Sequence, residues 1–320
     1  MKKILFVAVS LLIMALMIAG CGDSKKAAYP ADGDITVIIP KAPGGGTDVS
    51  ARGLVQMMQK ELPGSKFVPV NKPDGGGVTG MVELANAKPD GHTIGMVTVE
   101  LAMFPHQGKC KNTYKDYASI CAPIAAPAAL IVPKEAPYNS LDEFVAYAKA
   151  NPGKVKAATV GKLTGDHIFL MNVEKFTGAQ FTQVPYPGGS KAAPALLGGE
   201  VDCYFASTSN FLRMQGARGL AIATKDRYEL CPDVPTMNEL GYKLESAKYR
   251  GLATPPNFPA EAQAYLEAAL AKVCADPEYQ AGVRGAGLLP YYKDGKAFGE
   301  IIEQEKEKAR KTLKEQGLIQ

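Results

Sequence analysis

The order of apolar and polar positions divides the first part of the chain into alternating strand-like and helix-like segments. Residues 35–39 form a β-branched apolar run that ends at a glycine-rich segment, and apolar residues then recur at helical spacing over 49–62. The same alternation follows, with strand-like runs at 67–70 and 93–99 and a helix-like run at 78–87. This order predicts a parallel sheet covered by helices.

The middle of the chain repeats this pattern, and the C-terminal part is helical. Strand-like runs lie at 130–132, 155–160, 181–184, 201–205 and 220–224, and helix-like runs at 141–150, 167–176, 191–197, 260–275 and 295–315. Two such units predict an α/β fold of two doubly wound lobes with a ligand cleft between them. We expect lobe 1 to comprise residues 34–124 and 234–320, and lobe 2 to comprise residues 125–233.

The N-terminal segment has the pattern of a lipoprotein signal peptide. A positively charged start precedes an apolar run over 4–18, which is shorter than a membrane span. The run ends in small residues before Cys21, so we expect residues 1–20 to be removed and Cys21 to carry the lipid anchor. The polar segment 21–33 then serves as a tether. The alternative is a plain signal peptide in which Cys21 is incidental.

The composition suits a globular protein and argues against nucleic acid as a partner. Of the 320 residues, 46% are apolar, which provides a sizeable core. The formal net charge is +4, and it falls to +2 when Lys2 and Lys3 are removed with the signal peptide. No basic block is present, so the sequence lacks the electrostatic pattern of a nucleic-acid-binding protein.

The cysteines and histidines do not indicate a metal or cofactor site. Besides Cys21, the five cysteines form no CxxC pair, and none lies at metal-ligand spacing from a histidine. We therefore expect no metal and no cofactor. Cys110 and Cys121 would close a short loop and are the better candidates for a disulfide in an exported protein. Buried free thiols are the alternative.

The strongest local signal is the glycine-rich segment 43–48 between a predicted strand and a predicted helix. Its three glycines let the backbone approach a ligand closely, and the following helix start offers free N–H groups to an anion. Thr47 or Asp48 can cap that helix. A tight strand–helix turn without a ligand is the alternative. The segment does not match the nucleotide-binding glycine patterns, because Val49 occupies the last position.

Two further loops have the same character on the other predicted lobe. Residues 185–190 end in Ser190, which either caps the next helix or donates to a ligand. Residues 161–167 offer Thr164 and His167, and His167 could equally pack at a helix start. Ser190 with His167 leaves a secreted serine hydrolase as a remote alternative, although Ala192 breaks the nucleophile-elbow pattern. We expect no enzyme activity.

Seven short motifs occur in a fixed order along nearly all of the mature chain. They lie at 40–48, 71–80, 88–93, 184–189, 198–202, Arg227 and 232–236. Together they resemble the extracytoplasmic solute-binding receptors of tripartite tricarboxylate transporters, the Bug receptors. The resemblance implies a periplasmic-binding-protein fold of type II, with two lobes that close on a ligand.

The resemblance also implies which residues hold the ligand. In that family two glycine-rich loops face each other and hold one ligand carboxylate through N–H groups, hydroxyls and waters. Carried over by position, the contacts are Ala42, Gly45, Thr47 and Asp48 on one lobe and Thr164, Tyr186, Gly188, Ser190 and Ser207 on the other. Asp48 cannot attract a carboxylate, so its expected role is to cap the helix and hold a water.

Two charged residues leave the choice of ligand open. Lys162, if it points into the cleft, favours a second carboxylate on the ligand. Glu100, if it faces the cleft, favours an amine and hence an amino acid. The alternative for each residue is exposure to water.

These observations predict a lipoprotein receptor, monomeric, that captures a small carboxylate or amino acid and delivers it to membrane transporter subunits. A population shift towards the ligand-bound closed form would be its mechanism. A receptor of the same fold that presents its ligand to a sensor kinase is the alternative.

Overall fold

The computed structural model describes most of the chain after the predicted targeting segment. The described residues are 29, 33–108, 110–162 and 164–319. The predicted signal peptide, the lipidation site Cys21 and nearly all of the tether lie outside them. Residues 33–320 form one compact unit.

The first part of this unit alternates strands and helices as the apolar pattern predicts. Its elements are β1 (Asp34–Ile39), α1 (Gly46–Glu61), β2 (Lys66–Asn71), α2 (Val78–Ala85) and β3 (Thr93–Thr98). β1 pairs in parallel with β2 on one side and with β3 on the other. The carboxyl ends of these parallel strands therefore meet at one edge of the sheet, where the loop after β1 begins.

The middle of the chain begins with a long strand and then repeats the alternation. Its elements are β4 (Ala118–Pro133), α3 (Leu141–Ala150), β5 (Lys156–Thr159), α4 (Gly165–Thr177), β6 (Thr182–Pro185), α5 (Gly189–Leu197), β7 (Cys203–Ser207), α6 (Thr208–Phe211) and β8 (Ala217–Ile222). β5 pairs in parallel with β6 and β7. The loops after β5 and β6 thus lie at one edge of this second group of strands.

The C-terminal part returns to the first group of strands and ends in a long helix. Its elements are β9 (Ala247–Thr254), α7 (Ala260–Ala275), α8 (Pro277–Gly285), β10 (Leu289–Asp294) and α9 (Gly295–Glu315). β9 is antiparallel to both β3 and β4, and β10 is antiparallel to β4. The α/β class is therefore confirmed, with antiparallel strands added to the predicted parallel ones.

Strand β4 connects the two groups of strands. The strand order is β2-β1-β3-β9-β4-β7-β5-β6, with β10 and β8 also paired to β4. Residues 118–127 of β4 pair with β9, and residues 128–133 pair with β7 and β8. We call β1, β2, β3, β9 and β10 with the first part of β4 the first sheet, and β5 to β8 with the rest of β4 the second sheet. The lobe boundaries predicted from the sequence remain a prediction.

Helix α9 is fixed to the first sheet by close packing at Gly251. Phe298 of α9 is fully buried, and its ring lies where a Cβ atom on Gly251 would be. Burying a phenylalanine side chain contributes about 1.5–3 kcal/mol. The contact therefore places β9, and with it the residues on either side of Gly251, firmly against the core.

The predicted disulfide between Cys110 and Cys121 is not formed, because all five described cysteines are free thiols. Cys121 is fully buried in β4, and its thiol shares a hydrogen bond with Cys274 of α7. Spacing along the chain does not determine which face of a strand a side chain lies on, and Cys121 lies on the face of β4 that packs against α7. Within the part of the chain that the structure describes, no helix is long and apolar enough to cross a membrane.

Candidate functional site

The loop after β1 is held in shape by the first turn of α1. Gly44 has φ +74°, a left-handed conformation that suits glycine, and its N–H donates to Oδ2 of Asp48 at 2.9 Å. Gly45 precedes α1 as its N-cap, and no side chain caps the helix start. The predicted capping by Thr47 or Asp48 is therefore wrong: Asp48 braces the preceding loop instead.

Asp48 joins the loop after β1, helix α1 and the end of β2 through its buried carboxylate. Besides the Gly44 N–H, it accepts hydrogen bonds from Nε of Arg52 at 2.9 Å and from Nδ2 of Asn71 at 2.8 Å. Burial alone would raise the pKa of Asp48, but the hydrogen bonds from Asn71 and Gly44 and the charge of Arg52 outweigh it, so the pKa lies below its usual value. Asp48 is thus ionised and fixes the loop from behind.

The loop after β6 forms the facing wall and leads into α5. A Cβ atom on Gly189 would collide with Nδ2 of Asn210 and lie 3.3 Å from the hydroxyl of Tyr204. Oδ1 of Asn210 in turn accepts a hydrogen bond from Oγ of Ser207 at 2.8 Å. Glycine is therefore required at the start of α5 because the end of β7 and α6 approach it closely.

The loop after β5 completes this wall. Thr164 precedes α4 in an extended conformation, and its Oγ1 donates to the carbonyl of Gly161 at 3.3 Å. Thr159 also donates to that carbonyl, at 3.1 Å, and accepts from Nε2 of Gln183 at 2.7 Å. These contacts hold the loop by its backbone and place the first residues of α4 beside the first sheet.

The three loops enclose a cavity of about 200 Å³ between the two sheets. It is lined by residues of both sheets and their loops: Lys41, Ala42, Pro43, Gly45, Gly46, Thr47, Pro73, Gly76, Glu100, Phe104, Val160, Gly161, Lys162, Thr164, Asp166, Tyr186, Pro187, Gly188, Gly189, Ser190, Ser207, Asn210, Lys248 and Arg250. The starts of α1, α4 and α5 all border this cavity. Helix starts carry partial positive charge and free N–H groups, so their convergence favours an anion.

One ion pair in the cavity joins Lys41 to Glu100. Their Nζ and Oε1 atoms are 3.6 Å apart, and Lys41 also donates to the carbonyl of Gly76 at 2.9 Å. Burial would raise the pKa of Glu100, but the nearby charges of Lys41 and Lys248 help to lower it to about 2. Glu100 is therefore an anion whose charge is already balanced within the protein.

A second ion pair crosses the cavity from one sheet to the other. Asp166 in the first turn of α4 contacts Nζ of Lys248 on β9, and the side chain of Asp166 is only 1% exposed. Burial raises the pKa of Asp166, whereas Lys248 and the Val160 N–H lower it, and burial has the larger effect. Because Lys248 pairs with it, this buried carboxylate does not carry the energetic cost of an unpaired charge.

Arg250 on β9 is the most deeply buried cation of the cavity. It is 6% exposed, its Nε donates to Oγ1 of Thr47 at 3.2 Å, and its Nη1 has no hydrogen-bond partner. Burial lowers its pKa to about 10, and the charges of Glu100 and Asp166 oppose that shift. The guanidinium thus remains charged at neutral pH, and within the described residues it forms no ion pair.

The structure brings ten of the twelve predicted ligand-binding residues to the cavity. They are Ala42, Gly45, Thr47, Glu100, Lys162, Thr164, Tyr186, Gly188, Ser190 and Ser207. Asp48 and His167 do not line it. Asp48 faces the loop and Asn71, and His167 follows Asp166 on α4, where successive side chains diverge by about 100°. Burial, with a smaller effect of Lys162, lowers the pKa of His167 to about 4.

Sequence reasoning missed several polar residues of the cavity. Lys248 and Arg250 lie on β9, a strand that the apolar pattern did not predict, and Asp166 and Asn210 lie in helix starts. The alternation Lys248-Tyr249-Arg250 before an apolar run was a signal for a strand with a polar face. Within the described residues, His, Cys, Asp and Glu side chains form no cluster that could hold a metal ion.

Comparison with known proteins gives close similarity over nearly the whole described chain. A model of the family described as "Tripartite tricarboxylate transporter family receptor" matches residues 50–318. BugT of Bordetella pertussis is 32% identical over 244 residues, which cover 72% of this chain and 74% of BugT. A TctC solute-binding protein from Polaromonas is 29% identical, with a TM-score of 0.72 over 90% of this chain and 99% of that chain. MatC from Rhodopseudomonas palustris, solved with bound malate, is 25% identical, with a TM-score of 0.79 over 88% of this chain and 98% of that chain.

The two sheets and the polar cavity between them, together with these likenesses, define a solute-binding receptor. The chain belongs to the tripartite tricarboxylate transporter family of receptors. Members of this family are periplasmic solute-binding proteins rather than enzymes. The resemblance noted in the sequence and the predicted fold class are both confirmed.

Proposed function

We propose that this protein is an exported, lipid-anchored receptor that captures a small organic carboxylate and delivers it to the membrane subunits of a tripartite tricarboxylate-type transporter. The proposal assigns the ligand to the cavity between the two sheets. It also assigns the two sheets to two lobes, residues 34–124 with 234–320 and residues 125–233, which close around the ligand.

The observation that carries the proposal is the meeting of two glycine-rich helix starts across one cavity. The segment Gly45–Thr47 begins α1 on one wall, and the segment Gly188–Ser190 begins α5 on the other. Each presents backbone N–H groups and one hydroxyl without a bulky side chain in the way. Two helix starts that border one cavity suit a carboxylate, because each contributes partial positive charge and donors.

The size and charge of the cavity agree with a small anion. The cavity volume of about 200 Å³ leaves room for several water molecules. A carboxylate of that size, with a few bridging waters, fits the space. The lining carries four cations, Lys41, Lys162, Lys248 and Arg250, against the two anions Glu100 and Asp166, which leaves an excess of two positive charges.

The relatives support both the ligand class and the transport role. MatC, 25% identical to this chain, has malate bound in its structure, and the matched family is described as a transporter receptor. The anchor through Cys21 rests on the sequence pattern at the end of the signal segment. Replacing Cys21 with Ser should release the protein from membranes; retention in the membrane fraction would remove the anchor from the proposal.

A thermal-shift screen over small carboxylates and amino acids tests the binding role. A ligand at about 100 times its Kd adds about 2.7 kcal/mol of stability and should raise the melting temperature measurably. If no carboxylate or amino acid raises it, the proposed function fails. The same screen compares ligand classes directly, because all compounds are measured on one protein preparation.

Thr47→Val tests whether the ligand lies in this cavity. Thr47 is buried at the cavity wall, and valine removes its hydroxyl at nearly constant volume. Affinity for a ligand found in the screen should fall about five- to tenfold, the effect of losing one net hydrogen bond. Thr36→Val on β1, away from the cavity, is the matched control and should bind as the wild type does. Equal affinity of both variants would place the ligand elsewhere.

A further inference from the structure

One buried ion pair joins the two sheets across the cavity. The carboxylate of Asp166, in the first turn of α4, contacts Nζ of Lys248 on β9, and the two side chains are 1% and 16% exposed. The backbone before this acid is equally close to the first sheet: a Cβ atom on Gly165 would lie 3.6 Å from Cγ1 of Val99 and 3.8 Å from Cγ of Lys248. The start of α4, which follows a strand of the second sheet, is therefore packed directly on the first sheet.

Lys248 lies beside the place where the chain crosses between the two sheets. Strand β4 pairs with β9 as far as Pro127 and with β7 from Ala128 onwards. The Ala128 N–H donates to the carbonyl of Ser246 at 2.8 Å, and Lys248, two residues further on, pairs with Ala126. Two groups of strands that share such a short crossing can rotate about it as about a hinge. A contact next to the rotation axis determines the angle, because a small lengthening there separates the outer rims by much more.

The other ion pairs between the two sheets or their helices, within the part of the chain that the structure describes, are exposed. They are Lys175–Glu315, between α4 and α9, and Arg284–Glu229, between α8 and the segment after β8. Exposed pairs contribute at most about 1 kcal/mol. A buried hydrogen bond from Oγ1 of Thr208 to the carbonyl of Gly287 also joins the sheets, but it is neutral and its length is 3.4 Å. The strongest electrostatic contact between the sheets is therefore the one at Asp166.

A buried ion pair can specify a geometry while it adds little stability. The attraction between the charges is largely offset by the cost of removing them from water, whereas removing one partner leaves the other charge buried and unpaired. Glu100 and Arg250 also act on the charge of Asp166, but among the described residues only Lys248 forms an ion pair with it. Angles between the sheets at which Asp166 and Lys248 do not meet are thus disfavoured.

We infer that Asp166 and Lys248 are positioning residues whose ion pair sets the angle between the two sheets and keeps the cavity closed without a ligand. The open form is then a minor state through which a ligand enters. Less of the binding free energy is needed to bring the loops together, because they already face each other. The inference rests on the proposed function for the two lobes that move, and it does not depend on the class of ligand.

Small-angle X-ray scattering of the protein without ligand tests the inference. The wild type should give the curve calculated from the structure, with a radius of gyration close to the roughly 19 Å of a compact chain of about 290 residues. Lys248→Met and Asp166→Asn should each raise the radius of gyration by about 0.5–1 Å, because the sheets are then free to separate. Lys175→Met, which breaks an exposed pair between α4 and α9, is the matched control and should leave the radius unchanged.

The double variant Asp166→Asn/Lys248→Met separates a positioning role from the burial of charge alone. It leaves neither charge unpaired, so its urea midpoint should return towards that of the wild type, whereas its radius of gyration should stay raised. If Lys248→Met does not fold, Asp166→Asn and the double variant carry the test. A folded double variant with the wild-type radius would overturn the inference, and so would a wild type more extended than the structure. Either result leaves the proposed function to the thermal-shift screen, which measures binding and not shape.

Discussion

Asp48 should stabilise the fold and the ligand loop together, although it does not line the cavity. Its carboxylate accepts hydrogen bonds from the Gly44 N–H, Arg52 and Asn71 at 2.8–2.9 Å. Asp48→Ala removes all three acceptor contacts at once. We expect a lower free energy of unfolding and weaker ligand binding, because the loop before α1, which lines the cavity, loses the support behind it.

The expected magnitude follows from the exposure of each partner. Hydrogen bonds to an ionised group contribute about 1.5–3 kcal/mol each when both partners are sheltered from water. The side chain of Arg52 is 47% exposed, so water replaces much of that contact and it counts for about 0.5 kcal/mol. The contacts with Gly44 and Asn71 are only part-buried, so each counts for about 1–1.5 kcal/mol, at or below the lower end of that range. The loss should therefore be about 2–4 kcal/mol in the free energy of unfolding.

Urea unfolding with calorimetric titration measures both effects. The pKa of Asp48 lies below its usual value of 3.8, so the stability it contributes is present above that value and is lost as the pH falls through the lower folded-state pKa. The difference between the wild type and Asp48→Ala should thus be constant from neutral pH down to about pH 5 and shrink only below about pH 4.

Two comparisons make this prediction refutable. Asp34→Ala removes an exposed ion pair with Lys66 and should change stability by less than about 0.5 kcal/mol. Asp48→Asn keeps one acceptor oxygen but turns an amide towards donors, so its stability should lie between the wild type and Asp48→Ala. If Asp48→Ala matches Asp34→Ala in stability and also keeps wild-type affinity, the loop does not depend on Asp48.

Three further predictions concern packing, backbone freedom and thiol reactivity. Gly251→Ala places a Cβ atom in the ring of Phe298 and should destabilise the protein by about 1–3 kcal/mol or more in urea unfolding. Gly53→Ala, within α1 and with no atom near the added Cβ, should instead stabilise it by about 0.5–1 kcal/mol in the same assay. Maleimide labelling of the folded protein should modify the partly exposed Cys110 and Cys231 before the three buried cysteines. Burial raises the pKa of Cys231 to about 11, so its labelling rate should keep rising with pH through the alkaline range.

Much of the fold could be predicted because its helices have clear ends and apolar faces. The predicted ranges of Leu141–Ala150, Ala260–Ala275 and Gly295–Glu315 match the structure at both ends. Ser140, for example, accepts a hydrogen bond from the Glu143 N–H and fixes the first of these starts. Where a cap or a breaker residue marks a helix end, local chemistry decides the boundary and tertiary contacts change it little.

Strand β4, which joins the two sheets, and the strands β9 and β10 beside it could not be predicted in full, because their residues do not show the usual apolar and polar alternation. Only 130–132 of β4 was predicted, although the strand spans Ala118–Pro133 and is almost entirely buried. Because both faces of β4 are buried, its apolar and polar residues do not alternate. In addition, Pro123 lies where the pairing of β4 with β9 shifts register, and proline is rare inside a strand. β9 and β10 carry charged residues beside their tyrosines, so neither has the apolar run on which the other strand predictions rested.

The missed strand β9 and the open role of Glu100 in ligand choice have one physical origin, which is that the sequence does not show which charges lie next to each other in the fold. The sequence leaves open whether Glu100 faces the cleft, where it would favour an amine on the ligand, or is exposed to water. In the fold, Lys41 lies 3.6 Å away and Lys248 contributes from β9, and the pKa of Glu100 falls to about 2. A buried acid selects a cationic ligand only while it lacks a cation of its own. Glu100 therefore gives no reason to expect an amine on the ligand, and Lys248, which helps to balance its charge, lies on the strand that the apolar pattern missed.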